Sequence, residues 1–304
     1  MTTSIRIGTR GSQLALWQAN EVSRLLLQQG YRPQIITVKT TGDKRQDVSL
    51  ADVGGKGLFI KELEEALDNG DVDIAVHSLK DVPSIIPERF VLAGFLERAD
   101  PRDAWVHLDR LPIRDLPSGS VIGTSAPRRR AQLMRNFPQF RIEAIRGNVE
   151  TRIAKARAGL YSGIILAAAG LRRLGRESEI TSYFAVDEMV PAAGQGIVTI
   201  EAVAGNEKAI AAAQSITHAP SELAAKAERG VLQRFGERLD CYSSVAVHAT
   251  TEGGVTQIRA FFSDYEATRS IHAVRTGVDP QAVVAAVYDE LVAKGAEELV
   301  CAQR

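Results

Sequence analysis

Ile7-Gly8-Thr9-Arg10-Gly11-Ser12 and Ile122-Gly123-Thr124-Ser125-Ala126-Pro127-Arg128 are one phrase written twice in a chain of 304 residues. Each copy stands between an apolar run of strand character and an amphipathic run of helical spacing. A strand that ends in Gly-Thr and opens a helix leaves unpaired N–H groups where the positive end of the helix dipole points, the layout of an anion site. Outward from the first copy, residues 5–8 read as a strand, and Ser12 caps a helix that Gly30 ends. Residues 34–38 follow as a strand, 58–69 as a helix and 73–77 as a buried strand, so the pattern is βαβαβ with a parallel sheet. Ligands on such sheets lie beyond the carboxyl ends of the strands, which puts Arg10, Ser12, Lys80 and Asp81 along one edge.

Outward from the second copy the pattern restarts. A strand at 121–123, a helix at 127–136, a strand at 141–145, an Asn148-capped helix to Ala158 and a strand at 163–167 predict a second α/β lobe. The strand 197–203, entered through Val190-Pro191-Ala192-Ala193-Gly194-Gln195-Gly196, is expected to return to the first lobe, and two crossings predict a hinge with a cleft. After Gly205 the texture is α+β: helices at 207–216 and 222–235, short strands at 245–250, 255–262 and 271–275, and a helix at 280–294. Thr251-Glu252-Gly253-Gly254 is a hairpin turn, and Cys241 falls on the loop before the first of these strands. The fold expected is therefore α/β in two lobes plus a small α+β C-terminal domain, divided as 1–98 with 192–216, 99–191, and 217–304.

A formal net charge of zero, with 45% hydrophobic and 24% charged residues, argues against a nucleic-acid binder built on bulk positive charge. Between Ser120 and Leu160, however, nine Arg or Lys face only Glu143 and Glu150. No apolar run reaches membrane-spanning length, and Met1–Ser12 lacks a signal-peptide core, so a cytosolic chain is expected. Two cysteines and five scattered histidines predict neither a disulfide framework nor a metal site; Cys301, in an apolar terminal run, reads as structural. Gly54-Gly55-Lys56-Gly57 fails the spacing of a phosphate loop, and Gly194-Gln195-Gly196 lacks the third glycine of a dinucleotide fingerprint, leaving a hinge turn.

Arg135, Lys155 and Arg157 read as a solvated helix face. Arg10, Arg128, Arg129, Arg146 and Arg152 fall at strand ends or first helical turns, where guanidinium forks converge on carboxylates or phosphates. Asp81 is either a turn cap or a carboxylate held ionised in a cationic cleft, able to stabilise a developing cation or move a proton. Cys241 is either a small buried hydrophobe or a nucleophile or attachment point.

Five phrases together resemble the porphobilinogen deaminase family: Gly8-Thr9-Arg10-Gly11-Ser12-Gln13-Leu14-Ala15-Leu16-Trp17-Gln18-Ala19, Val53-Gly54-Gly55-Lys56-Gly57-Leu58-Phe59, Ala75-Val76-His77-Ser78-Leu79-Lys80-Asp81-Val82-Pro83, Arg146-Gly147-Asn148-Val149-Glu150-Thr151-Arg152 and Pro191-Ala192-Ala193-Gly194-Gln195-Gly196. The resemblance implies two lobes like a type II periplasmic-binding-protein pair and a third domain that carries a covalent dipyrromethane cofactor, as a thioether on Cys241. It implies a cytoplasmic, monomeric transferase that joins four porphobilinogen molecules into hydroxymethylbilane with loss of ammonia, without metal, nucleic acid or membrane. By the same resemblance Asp81 is catalytic. Arg10, Ser12, Lys56, Ser78, Lys80, Thr124, Ser125, Arg128, Arg129, Arg146, Gly147, Arg152, Arg173 and Gln195 match positions that bind the carboxylates of cofactor, substrate and growing polypyrrole chain.

Three positions depart from the family pattern. Leu239-Asp240 stands where relatives have Gly-Gly before the cysteine, and an aspartate there raises a thiol pKa and repels a polyanion. The usual proline after the cysteine is missing, and Ala126 replaces a serine, a change of about 0.5–1.5 kcal/mol if one hydrogen bond is lost. The competing readings are a cofactor-free two-lobed carboxylate-binding protein, which the altered cysteine loop favours, and an anion-binding transcriptional effector domain, for which no DNA-binding helix pair is evident.

Overall fold

The computed structural model describes residues 3–39, 60–239 and 243–301. The chain divides into two compact units, Met1–Ala99 with Gly196–Lys226, and Asp100–Gln195 with Ala227–Arg304. The first opens with β1 (Ser4–Thr9), α1 (Gln13–Gln28), β2 (Arg32–Thr37), α2 (Lys61–Asp68), β3 (Ile74–Ser78) and β4 (Phe90–Phe95). Ser12 caps α1 as expected, its Oγ accepting the Ala15 N–H at 3.3 Å. Ala19, Val22 and Leu26 at helical spacing pack with Ile5, Ile7, Ile74 and Val76 of the sheet.

The second unit runs through β5 (Asp103–Val106), β6 (Val121–Gly123), α3 (Pro127–Asn136), β7 (Arg141–Glu143), α4 (Val149–Arg157), β8 (Gly163–Ala167), α5 (Ala168–Arg173) and β9 (Ser182–Tyr183). The chain then returns to the first unit as β10 (Val198–Val203) and α6 (Glu207–Ser215). Beyond α7 (Ala219–Phe235), the antiparallel sheet β11 (Ser244–Glu252), β12 (Val255–Ser263) and β13 (Ser270–Gly277) packs against α8 (Pro280–Ala293), and α9 (Ala296–Cys301) follows. Gly253 and Gly254, with φ of +56° and +78°, make the expected hairpin turn between the paired residues Glu252 and Val255.

The two larger sheets have the orders β2-β1-β3-β10-β4 and β7-β6-β8-β5-β9. The first three strands of each are parallel, as expected. The fourth is antiparallel to both neighbours, so each sheet is mixed rather than parallel. β5 and β10 each follow a passage of the chain from one unit to the other, so neither arrives through the helical crossover that holds successive strands parallel. β4, β5 and β9 are additional to the strands expected. The architecture is thus α/β, with a mixed five-stranded sheet and its helices in each unit and a smaller three-stranded C-terminal sheet.

Where the chain passes between units, Ala99 N–H donates to Gly196 O at 3.1 Å. Gly196 has φ +89°, and a Cβ on it would stand 2.5 Å from Ala99 O. Close backbone approach explains this glycine, in keeping with a turn rather than a nucleotide loop. The C-terminal sheet joins the second unit through α3: Ala131 packs with Ala246 and Phe261, and the Arg130 guanidinium donates to Tyr265 O while lying 4.9 Å from its ring.

Candidate active site

β1 and β3 are adjacent and parallel, with Gly8 beside Ala75, so their carboxyl ends share an edge. Arg10 and Ser12 follow β1, Ser78 ends β3, and Lys80 and Asp81 occupy the single 3-10 turn Leu79–Asp81. Gln18 of α1 donates Nε2–H to Ser78 Oγ at 2.7 Å, and the Leu79 N–H donates to Ile197 O at 3.0 Å. Burial of Leu79 and Val82 anchors the turn and leaves Lys80 and Asp81 exposed. Just behind it, His77 Nε2 lies 3.0 Å from Glu201 Oε2, both side chains buried. Glu64 stands near this pair; burial, and then the Glu201 carboxylate, push its carboxyl up against the opposing pull of His77. As one of several scattered histidines, His77 gives no sign in the sequence of this partner 124 residues away.

In the second unit the loops after β6 and β7 are tied together. The Thr124 N–H donates to Glu143 O at 2.9 Å and Ser125 Oγ to Ile145 O at 2.5 Å. α3 begins at Pro127 without a side-chain cap, so the two copies of the phrase differ: Ser12 caps its helix and Ala126 does not. Before α4, Asn148 Oδ1 accepts the Thr151 N–H at 2.9 Å and its hydroxyl at 2.8 Å. Arg152 Nε then donates to Gly147 O at 2.8 Å and Lys155 Nζ to Arg146 O at 3.2 Å, folding two cations of α4 back onto the loop. Lys155 is therefore not the solvated side chain expected, whereas Arg135 is exposed and Arg157 pairs at the surface with Glu179 at 2.6 Å.

Gly147 has φ +110°, and a Cβ there would stand 2.5 Å from Thr151 Cγ2. Gly147→Ala is therefore expected to lower stability by about 1–3 kcal/mol. The loss appears as a reduced urea midpoint at unchanged m-value; an unaltered midpoint would show that the loop relaxes without cost.

The largest departure from expectation concerns Arg128, Arg129 and Gln195. All three are buried around Asp103, itself fully buried at the start of β5 and opposite Ala167 of β8. Arg128 donates from Nη1 to Asp103 Oδ2 at 2.6 Å and to Val190 O at 3.0 Å, and from Nη2 to Asp103 Oδ1 at 3.1 Å and Gln195 Oε1 at 3.0 Å. Arg129 donates to Asp103 Oδ1 from Nε at 3.1 Å and Nη2 at 2.7 Å, and from Nη1 to Ile165 O at 3.1 Å. Gln195 Nε2–H completes the network on Pro101 O at 2.7 Å and Asp103 Oδ1 at 2.9 Å. The forks expected to be open for a ligand instead grip the chain's own carboxylate. Burial alone would push the Asp103 carboxyl up, but the two guanidinium groups outweigh it and hold it well below the usual carboxylate range. Two cations against one anion still leave the cluster with a net positive charge beside Thr124 and Ser125.

Arg173 closes α5 and is partly buried, as are Arg10, Arg146 and Arg152. Lys56 and Cys241 lie outside the described residues. Among the described residues no cluster of three or more His, Cys, Asp or Glu has the arrangement of a metal site, and no helix is long and apolar enough to cross a membrane.

The family model described as porphobilinogen deaminase, dipyromethane cofactor binding domain, matches residues 5–211. A porphobilinogen deaminase of Acidithiobacillus ferrooxidans is 42% identical over 302 residues, covering 99% of this chain and 98% of that protein. One from Geobacter sulfurreducens is 42% identical over 300 residues, covering 97% and 93%. Among solved structures, the methionine-binding protein MetQ gives a TM-score of 0.44 at 12% identity, covering 70% of this chain and 88% of that one.

Proposed function

Because the chain belongs to the porphobilinogen deaminase family, we propose that it joins four porphobilinogen molecules head to tail into the linear tetrapyrrole hydroxymethylbilane, releasing ammonia at each addition. The observation that carries this reading is the gathering of cations at the carboxyl ends of parallel strands in both large sheets, with the exposed Asp81 carboxylate beside Lys80. Each pyrrole bears an acetate and a propionate, so a growing chain is a polyanion and needs such positive surroundings.

The residues present fit a polyanionic dipyrromethane. Arg146 and Arg152 flank the bare backbone of Gly147, where a Cβ has no room, and the Arg128-Asp103-Arg129 cluster adds net positive charge. Cys241 is the attachment residue, and Lys56 joins the cationic partners. When bound, the cofactor supplies the nucleophilic pyrrole carbon on which the chain grows. Arg10, Lys80, Arg146, Arg152 and Arg173 hold carboxylates, with Ser12, Ser78, Thr124 and Ser125 as hydrogen-bonding helpers. Arg128, Arg129 and Gln195 act from behind, through charge and by setting the start of α3. As the C–N bond of porphobilinogen breaks and ammonia leaves, positive charge develops on the pyrrole, and Asp81 stabilises it and accepts its N–H. The same proposal takes the protein as a cytoplasmic, monomeric transferase in three domains, 1–98 with 192–216, 99–191, and 217–304.

Intact mass of the purified full-length chain tests the attachment. The dipyrromethane increment is expected on the wild type and absent from Cys241→Ser, together with loss of ammonia release from porphobilinogen. A wild-type chain that binds carboxylates but carries no increment and releases no ammonia would instead be the cofactor-free binding protein.

A further inference from the structure

On the C-terminal sheet, β11 and β12 pair His248 with Arg259 and Thr250 with Gln257, so these four side chains share one face. With Val186 they line a cavity of about 210 Å³. None of these residues is among those proposed for catalysis. Arg259 is partly buried and makes no hydrogen bond or ion pair among the described residues. Its guanidinium fork is therefore free to take a bound anion with two parallel N–H donors.

His248 is 6% exposed, and its Nδ1 has no hydrogen-bond partner. The nearest carboxylate, Glu228, lies 3.4 Å from Nδ1, but its oxygens already accept the Ala249 N–H at 2.7 Å and the Gly194 N–H at 2.6 Å. Cations also set the field along the same face. His272, paired across strands with Phe261, is pushed down to about 4 by burial and then by Arg135, Lys294 and Arg259.

We propose that this cavity is a binding site for a small oxyanion, a carboxylate or a phosphate, held by the Arg259 fork with Gln257 and Thr250 as hydrogen-bonding groups. Its size admits a small dicarboxylate as readily as inorganic phosphate. The site needs no turnover to be occupied.

The test is a titration of the full-length holoprotein with inorganic phosphate, and separately with succinate, at fixed ionic strength. The readout is the His248 ring C–H resonance, assigned by its loss in His248→Gln. A saturable shift is expected in the wild type. Arg259→Gln is expected to raise the half-saturating concentration at least tenfold, and so is Val186→Asp, which sets a carboxylate at the cavity without altering the sheet. Ammonia release from porphobilinogen is expected to be unchanged in both variants. Tighter saturation by phosphate or by succinate identifies which oxyanion the site takes. Absence of a saturable shift with either anion, or an unchanged half-saturation in both variants, overturns the proposal.

Discussion

Asp81→Ala is expected to keep the covalent mass increment and to slow ammonia release from porphobilinogen by about 10²–10⁴-fold. Its exposed carboxylate sits on a turn that buried Leu79 and Val82 hold rigid, so removing it should leave the backbone in place. At an effective dielectric near 20, a unit charge about 4 Å from a developing cation is worth roughly 4 kcal/mol, about three orders of magnitude in rate. Asp81→Asn separates charge from hydrogen bonding: the amide keeps an acceptor but not the charge, and should lose nearly as much as alanine. Single-turnover ammonia release on variants of confirmed mass checks this. A rate within a few-fold of wild type in both would remove Asp81 from the chemistry while leaving the attachment at Cys241 untouched.

Asp103→Asn should produce the largest loss of stability, about 3–5 kcal/mol, because two buried guanidinium groups lose the charge that both grip. Replacing one member leaves the others uncompensated, so the loss should far exceed that of a surface pair such as Arg157 with Glu179. The pH dependence has a definite sign. The folded-state pKa of Asp103 is depressed, so its contribution is fully present above the unfolded carboxylate value near 4 and is lost as pH falls below that toward the folded value. Wild-type and variant stabilities should therefore converge in strong acid. Urea midpoints measured from neutrality downward decide the matter; a constant gap down to the acid limit would mean that the aspartate's charge is not what holds the cluster.

Asp81 and Asp103 differ in how far each is legible from the order of residues. Asp81 stands out because a strand end beside a lysine places it at the edge where ligands collect. Asp103 sits in Asp100-Pro101-Arg102-Asp103, which looks like a polar boundary between lobes; only the apolar Ala104-Trp105-Val106 after it hints at a strand beginning with a buried carboxylate. Arg128 and Arg129 read correctly as forks seeking an anion, but the partner they meet lies 25 and 26 residues away. Lys155 misleads for the opposite reason, its target carbonyl on Arg146 being close in sequence but reached only once the loop before α4 has turned.

By itself the sequence determined the elements whose signals are local. Ser12 and Asn148 cap helices within three residues, Gly253-Gly254 turns a hairpin in place, and the repeated Gly-Thr phrase ends two parallel strands, because caps, turns and periodicity depend on near neighbours. Only the tertiary structure decided that β5 and β10 enter their sheets antiparallel, that His77 meets Glu201, and that Asp103 gathers Arg128, Arg129 and Gln195. Those outcomes depend on which distant segments are buried together. A buried charge must find a partner wherever the chain brings one, and sequence spacing carries no record of that meeting.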